Sequence, residues 1–206
     1  MTESQKFYGS KSIFSATALC KLGALLWVCL TITLNTKAAS EKVLFDFQTT
    51  PYSTKWQVVN DDVMGGASTS QFKLLTNGGA IFSGVLSLDN NGGFASVRSG
   101  PVRENLGGGD AILLRFRGDG RRYKFTVRTG SSFDAPKYQA EFTTKRGECE
   151  EHRLAFKDFV PMFRGRVMAN VPPLNPADIA SVGVLIADKQ AGPFHLELIW
   201  IRASIQ

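Results

Sequence analysis

The stretch "RRYKFTVR", Arg121–Arg128, shows the pattern that decides the fold class. Its apolar residues Tyr123, Phe125 and Val127 stand at every second position, and the positions between them are basic or polar. Successive side chains of a β-strand point to opposite faces of the sheet. The alternation therefore predicts a strand with one buried face and one solvated face.

The same alternation recurs in several other segments, and turn signals such as "TNGG", "DNNGG", "RGDGR", "KRGE" and "QAGP" lie between them. Glycine after Asn or Asp supplies the positive φ that tight hairpins need. About ten short strands with such turns predict an all-β fold, an antiparallel sandwich or barrel, with one helical turn at "NPADIAS". The other residues expected to face the core are Phe82, Leu86, Leu88, Ile112, Leu114, Phe116, Tyr138, Ala140, Phe142, Phe194, Leu196, Leu198 and Trp200.

The first forty residues differ from the rest of the chain. Lys6, Lys11 and Lys21 precede or interrupt an apolar region whose core is "LGALLWVCLTITL", and small residues follow. This layout is typical of a secretory signal peptide, and an uncleaved membrane anchor is the alternative. An organellar transit peptide is disfavoured because the segment has no arginine. We therefore expect a leader at residues 1–40 and one β-sandwich domain at residues 41–206, exported or anchored to the membrane by the leader.

Charge and cysteine content limit the function classes. The formal net charge of the 206-residue chain is +6, but several of its lysines lie in the leader, so the domain itself is only mildly basic. The basic residues expected on the outward face of its strands have no aromatic residues interleaved on that face, as single-stranded nucleic-acid binding would use, and no nucleic-acid partner is expected. Only Cys149 lies beyond the leader, which predicts a domain without an internal disulfide.

The stretch "VNDDVMGGAS", Val59–Ser68, is the most distinctive in polar composition. Asp61 and Asp62 are adjacent, so in an extended chain they point to opposite sides and would form a poor catalytic pair. Three interpretations stay open: an Asx turn completed by Gly65–Gly66, a binding surface, or a calcium site that uses one carboxylate and backbone carbonyls. We expect Met64 to pack beneath the turn.

Basic residues form a second candidate site around the sequence "LRFRGDGRRYKFTVR". Asp119 is predicted to lie in a hairpin turn, with the two flanking strands as neighbours in one sheet. The outward faces of those strands would then form one cationic face, either solvated or suited to an acidic protein, a glycan or an anionic lipid head group. The residues of this predicted face are Arg115, Arg117, Arg122, Lys124 and Arg128.

Catalytic motifs are not apparent in the sequence. His152 and His195 lie in strand-like segments, and no G-x-S-x-G nucleophile motif is present. The glycines of "NLGGGDA" lack the Lys-Ser/Thr pair that follows in a phosphate-binding loop. We therefore expect a protein that is not an enzyme and that needs no cofactor, with calcium as the one metal to consider.

Several motifs in a fixed order resemble the complex I intermediate-associated protein family. They are "VNDDVMGGAS", "IFSGVLSLDNNGGFASVR", "LRFRGDGRRYKFTVRT", "YQAEFTT", "DFVPMFRGR" and "VLIADKQAGPFHLEL", and the resemblance covers about residues 43–202. It implies a galactose-binding-like jelly-roll sandwich. It also implies a non-catalytic, chaperone-like role in assembling NADH:ubiquinone oxidoreductase or another membrane complex, with complex I subunits or intermediates as partners.

The resemblance also singles out individual positions as a binding or structural motif. It implies that "NDDVMGG" is a structured turn, and we expect Arg98 to help to hold it. The alternative function, a carbohydrate-binding module of the cell envelope, would need exposed aromatic residues, for which Tyr52 and Trp56 are candidates. The positions of this candidate motif, of which all but Asp62 match the family, are Asn60, Asp61, Asp62, Met64, Gly65, Gly66, Ser68, Arg98 and Asp119.

Overall fold

The computed structural model describes residues 40–49, 55–130 and 137–205. The predicted leader lies outside the described residues except for Ser40, which begins the first strand. All the longer elements of the described chain are β-strands, so the predicted fold class is confirmed. In these three ranges no helix has both the length and the apolar character needed to cross a membrane.

The described residues form thirteen strands. Four short 3-10 turns accompany them, at Asp61–Met64, Asp89–Asn91, Phe156–Asp158 and Pro176–Asp178. The last is the predicted helical turn, and its Asn175 side chain accepts a hydrogen bond from the Ala177 amide at 3.2 Å. The strands are β1 (Ser40–Asp46), β2 (Gln57–Asn60), β3 (Thr69–Leu74), β4 (Ala80–Leu86), β5 (Ala95–Arg98), β6 (Gly109–Arg117), β7 (Arg122–Arg128), β8 (Lys137–Thr143), β9 (Cys149–Ala155), β10 (Val160–Phe163), β11 (Arg166–Val167), β12 (Ser181–Ile186) and β13 (Gly192–Ile205).

Two antiparallel sheets pack face to face. The six-stranded sheet has the order β3-β4-β13-β6-β9, and β1 also pairs with β13. The seven-stranded sheet has the order β11-β10-β8-β7-β12-β5-β2. Their inner faces supply one hydrophobic core, as the alternation predicts: Tyr123, Phe125 and Val127 of β7 are fully buried. Truncating such a side chain to alanine costs about 3–5 kcal/mol because a cavity remains.

A β-bulge in β13 changes which of its residues face the core. The register against β6 shifts between Leu198 and Trp200, so Leu198 and then Ile201 point inward. Trp200 instead lies opposite the exposed Arg115 and stacks under the Arg202 guanidinium at 4.3 Å. Trp200, although only 6% exposed, therefore does not share the face of Leu198 as predicted, because a bulge adds one residue and reverses the alternation after it.

Five of the connections that pass from one sheet to the other are β2 to β3, β4 to β5, β6 to β7, β8 to β9 and β12 to β13. The strand registers place all five at one end of the sandwich, which we call the crossing end. "RGDGR" is one of these crossings and not the predicted hairpin turn. Consequently β6 and β7 lie in different sheets, contrary to the prediction that they are neighbours.

Candidate functional site

The chain enters the crossing end through Asp61, which is fully buried. Asn60 ends β2 in an extended conformation, and Asp61 begins the 3-10 turn. The Asp61 amide donates to the Phe94 carbonyl at 3.3 Å, and its carbonyl accepts from the Gly66 amide at 2.9 Å. The backbone of Asp61 thus joins its own turn to the start of β5.

The carboxylate of Asp61 accepts four further hydrogen bonds. Its Oδ1 accepts from the Ser68 amide at 2.9 Å, and its Oδ2 accepts from the Ser68 hydroxyl at 2.5 Å. Oδ2 also accepts from the amides of Gly93 at 2.6 Å and Phe94 at 3.2 Å. Burial alone would raise the pKa of Asp61, but these donors outweigh it and lower the pKa below its ordinary value. A charged carboxylate therefore clamps two loops together.

Glycines make room for this carboxylate. Gly65 has φ +85°, a left-handed conformation that closes the turn. A Cβ on Gly66 would come within 2.5 Å of Asp61 Oδ1, and a Cβ on Gly92 within 2.6 Å of Oδ2. The "DDVMGG" stretch is therefore a structured turn, in which Gly66 is required by the close approach of the buried carboxylate and Gly65 by its positive φ.

Two apolar residues project from the clamped turn. Val63 is 61% exposed and Met64 is 64% exposed, so the prediction that Met64 packs beneath the turn is wrong. We call these two residues the apolar tip. The Asn90 side-chain amide donates to the Gly65 carbonyl at 3.1 Å and ties the turn to the neighbouring loop. Both side chains of the apolar tip are therefore accessible to a partner.

Calcium fits this arrangement poorly. Both carboxylate oxygens of Asp61 face N–H or O–H donors, whereas a calcium site presents several oxygen atoms to the ion. Asp62, its neighbour, is exposed. No group of three or more His, Cys, Asp or Glu side chains within residues 40–49, 55–130 and 137–205 is arranged to hold a metal ion.

Asp119 plays a comparable part at the crossing from β6 to β7. Its Oδ1 accepts from the Arg121 amide at 3.0 Å, and its Oδ2 accepts from the Tyr123 hydroxyl at 3.1 Å and the His195 amide at 2.8 Å. Burial, followed by the charge and hydrogen bond of Asp119, raises the pKa of Tyr123. Asp119 therefore fastens the crossing to β13.

Arg98 lies away from the Asp61 turn. Asn60 pairs with Ala95 at one end of β5, whereas Arg98 pairs with Gln57 at the other end. There its Nη2 donates to Gln57 Oε1 at 3.0 Å. The turn is held by the Asp61 carboxylate rather than by Arg98, which corrects the expectation from the sequence.

The residues predicted to form one cationic face are divided between the two sheets. On the six-stranded sheet, Arg115 pairs with Glu151 at 3.5 Å and Arg117 with Glu197 at 3.6 Å. The prediction of a single face is wrong because the "RGDGR" crossing places β7 in the other sheet.

The remaining basic residues, Arg122, Lys124 and Arg128, alternate along the outer face of β7. Arg122 pairs with Glu141 at 3.5 Å and Lys124 with Asp188 at 2.7 Å.

Sequence reasoning missed Lys137, which lies directly opposite Arg128. It occupies the outward phase of "KYQAEF", and recognising β7 and β8 as a hairpin would have revealed the pairing.

Trp56 is not a surface platform for a sugar. It is partly buried, and its ring stacks on Phe72 with 4.8 Å between centroids and meets Phe45 edge-on at 5.0 Å. Tyr52, the other aromatic considered for glycan binding, lies outside the described residues. The described part of the chain therefore does not present the aromatic residue on which the glycan alternative relied.

Two antiparallel sheets joined by crossing connections, five of them at the crossing end, form a galactose-binding-like jelly-roll domain. A family 11 carbohydrate-binding module of the cellulosomal cellulase Lic26A-Cel5E of Clostridium thermocellum superposes with a TM-score of 0.57 at 15% identity, over 82% of this chain and 95% of that one. The agarase AgWH50C gives a TM-score of 0.53 at 14% identity, over 81% of this chain and 24% of its own. At these identities the similarity shows the fold alone.

The family is shown by sequence. The family model for complex I intermediate-associated protein 30 matches residues 45–198, and the chain belongs to this family. The mitochondrial complex I intermediate-associated protein 30 of Mus musculus is 29% identical over 78% of this chain and 55% of its own length. The Drosophila melanogaster protein of the same name is 26% identical over 77% and 61%. The chain thus spans just over half the length of these curated relatives.

The names of these relatives also correct the expected location. The mouse and fly proteins, and a probable member in Caenorhabditis briggsae, are named mitochondrial. This points to an organellar location and contradicts the expectation of an exported or leader-anchored domain. The absence of arginine from the first forty residues is weaker evidence about location than the similarity of the folded domain to proteins that are named mitochondrial.

Proposed function

We propose that this chain is a non-catalytic domain that binds a protein partner during the assembly of respiratory complex I. The observation that carries the proposal is the apolar tip, Val63 and Met64, exposed on a turn that the buried Asp61 holds in place. Membership of the complex I intermediate-associated protein 30 family supports complex I as the target.

The geometry of the tip favours binding. The two exposed apolar side chains lose contact with solvent only when a partner covers them. Full burial of each contributes about 1.5–3 kcal/mol to the free energy of binding. The four hydrogen bonds to the Asp61 carboxylate fix the turn before the partner arrives, so little conformational entropy is lost on binding. A chaperone-like contact requires an exposed apolar surface held in a fixed conformation, and it requires no chemical step.

The polar groups of the crossing end support a role without catalysis. Among the carboxylates that the crossings enclose, Asp61 and Asp119 are both occupied by backbone amides and neighbouring hydroxyls, and Glu150 accepts from the Lys145 amide at 2.7 Å. A general acid or base needs a free position towards a substrate. These two carboxylates instead serve to shape the loops.

Affinity capture from gently solubilised host membranes, followed by mass spectrometry, tests the proposal. The tagged wild type is compared with the Val63→Asp/Met64→Asp variant and with Val85→Asp as a matched control. Val85 is 51% exposed on β4, outside the tip, so it controls for adding an acid at an exposed apolar position. We expect complex I subunits with the wild type and the control, and their loss with the tip variant.

The proposal fails in two distinguishable ways. If no complex I subunit accompanies the wild type, the assembly role is wrong for this chain. If complex I subunits accompany the tip variant as strongly as the wild type, the partner is bound elsewhere. Equal thermal unfolding midpoints for the three proteins would confirm that the comparison concerns binding and not folding.

A further inference from the structure

The apolar tip is one part of a larger exposed surface. The β2–β3 and β4–β5 crossings lie side by side at one edge of the sandwich, because β3 and β4 are neighbours in one sheet and β2 and β5 are neighbours in the other. Neighbouring strands are about 4.8 Å apart. The Asn90 side chain also bridges the two crossings through its hydrogen bond to the Gly65 carbonyl. One partner can therefore contact residues of both crossings at the same time.

Leu88 extends the apolar surface onto the second crossing. The alternation predicts that Leu88 faces the core, but β4 ends at Leu86 and Leu88 is 41% exposed. A Cβ on Gly93 would lie 3.1 Å from Leu88 Cδ2, so the leucine side chain lies beside the residue whose amide binds the Asp61 carboxylate. The clamp that anchors the apolar tip thus has a third exposed apolar side chain next to it.

The charged residues of these two crossings are all acidic. They are Asp61, Asp62 and Asp89, and the sequence between the strands has no lysine, arginine or histidine at either crossing. The pKa of the buried Asp61 is lowered, so this carboxylate is ionised at neutral pH. Asp62 is exposed, and within the described residues its carboxylate has no ion pair. Asp89 is also exposed, and its carboxylate accepts from the Ser87 hydroxyl, a neutral donor, at 2.8 Å.

The surroundings do not cancel this negative charge. The next crossing, from β12 to β13, contains one acid and one base, Asp188 and Lys189. Lys73 lies towards the other end of β3, where it pairs with Ile81. The crossings from β2 to β3 and from β4 to β5 therefore form a locally negative surface on a chain whose formal net charge is +6.

Exposed apolar side chains and carboxylates thus share one surface, which we call the acidic corner. We infer that the acidic corner binds a segment of the protein partner in which apolar side chains are flanked by lysine or arginine. The apolar side chains of the segment cover those of the corner, and its cations meet the two exposed carboxylates. The inference rests on the proposed function and names the chemistry of the partner at the same site. The acidic corner consists of Asp62, Val63, Met64, Leu88 and Asp89.

Charge decides against two other occupants. A second copy of this chain, bound through the same corner, would bring the carboxylates of both copies together, because a twofold interface joins identical surfaces. Anionic lipid head groups would also be repelled by Asp62 and Asp89. A basic and apolar protein segment is the occupant that satisfies both the charge and the apolar area of the corner.

Direct binding of a peptide tests the inference. The probe is a fluorescein-labelled peptide of alternating Lys and Leu, and the matched peptide has Gln in place of Lys. Asp62→Asn/Asp89→Asn is compared with Glu104→Gln/Glu148→Gln, which removes the same charge at exposed positions outside the corner. We expect the Lys peptide to bind the wild type and the Glu104/Glu148 control, and to bind the Asp62/Asp89 variant about tenfold more weakly. Asp62→Asn alone is the second variant if the double change does not fold.

Four outcomes overturn the inference. If the wild type does not bind the Lys peptide, or binds the Gln peptide equally well, cations are not recognised. An equal loss in both neutralised variants would show an unspecific effect of net charge. A dimer in analytical ultracentrifugation that Val63→Asp/Met64→Asp abolishes would show an interface between copies. Binding to vesicles of phosphatidylcholine and phosphatidylserine, without binding to the peptide, would show a lipid surface.

Failure of the inference is distinguishable from failure of the proposed function. If Asp62→Asn/Asp89→Asn captures complex I subunits as strongly as the wild type, while Val63→Asp/Met64→Asp captures none, the proposed function stands and the inference is wrong. If the wild type captures no complex I subunit but binds the Lys peptide through the corner, the assembly role is wrong and the recognition of basic, apolar segments stands.

Discussion

Asp61 accepts a 2.5 Å hydrogen bond from the hydroxyl of Ser68, and both residues are buried where the chain passes from one sheet to the other. The Ser68 hydroxyl also accepts from the Ser87 amide at 3.0 Å. Through this pair, the β2–β3 crossing and the β4–β5 crossing become one unit. The apolar tip rests on that unit.

Asp61→Asn should lower the free energy of unfolding by about 2–4 kcal/mol, because an amide nitrogen would face backbone N–H donors that the carboxylate now satisfies. Urea unfolding measures the change. Asp62→Asn is the matched control, since Asp62 is adjacent but exposed, and it should stay within about 0.5 kcal/mol of the wild type. A similar small change for both variants would contradict the structural role of Asp61.

Asp61 should also make the fold sensitive to acid. The pKa of Asp61 is lowered in the folded state. The ionised carboxylate therefore contributes to the free energy of unfolding at pH values above the pKa of the unfolded chain, and this contribution is lost as the pH falls through the pKa of the folded state. The stability difference between wild type and Asp61→Asn should therefore shrink as the solution is acidified below about pH 4. Urea midpoints measured across that range test this, and a constant difference would refute it.

Gly66→Ala should destabilise the domain more than Gly65→Ala. The added Cβ at Gly66 would collide with the buried Asp61 carboxylate, which four hydrogen bonds hold in place. At Gly65 the space is open and only the positive φ is costly, by about 1 kcal/mol. Thermal unfolding of the two variants gives the order, and the reverse order would mean that the carboxylate can move aside.

Asp119→Asn should cost about 1–3 kcal/mol, because the His195 amide, the Arg121 amide and the Tyr123 hydroxyl lose a charged acceptor. Glu104→Gln, at an exposed position in the connection from β5 to β6, makes the same charge change without such partners and serves as the control. Chemical unfolding of both variants is the measurement. Equal stabilities would show that the crossing does not depend on Asp119.

Lys137→Met should stabilise the domain by about 1 kcal/mol or more near neutral pH. The pKa of Lys137 is lowered to about 8 in the fold, so the unfolded chain holds this proton more tightly. Wild-type stability should therefore rise with pH from about 8 towards the ordinary lysine pKa, and the advantage of the variant should fade over that interval. The charges of Arg128 and Lys124 on β7 act on the same group. Urea midpoints at several pH values test this, and an advantage that does not change with pH would contradict it.

The strands were predictable because each carries its own alternation. Phe116 and Phe125 are recognisable from their immediate neighbours alone, and both are fully buried. The pairing of strands was not predictable in this way. Whether "RGDGR" turns back within a sheet or crosses to the other depends on Asp119 reaching the His195 amide, a contact between residues far apart in sequence. That single ambiguity produced the wrong cationic face.

In the candidate site, too, local sequence predicted some features and not others. The glycines of "DDVMGG" indicated a turn by local rules, but local rules gave no reason why Asp61 is buried and Met64 exposed. That reason lies in the amides of Gly93 and Phe94, which belong to the connection that leads into β5. Local propensity fixes turns, and long-range hydrogen bonds decide which face of a turn meets solvent.

The position of β13 has a consequence for biogenesis. This strand pairs with β1, β4 and β6, yet it follows all three in the chain. During synthesis or passage through a translocation pore, those three strands emerge before the strand that joins them. The domain should therefore remain protease-sensitive until Gly192–Ile205 is free, and an arrested chain that stops before Gly192 should not acquire protection. Folding of this domain thus depends on a late step, the pairing of β13 with β1, β4 and β6.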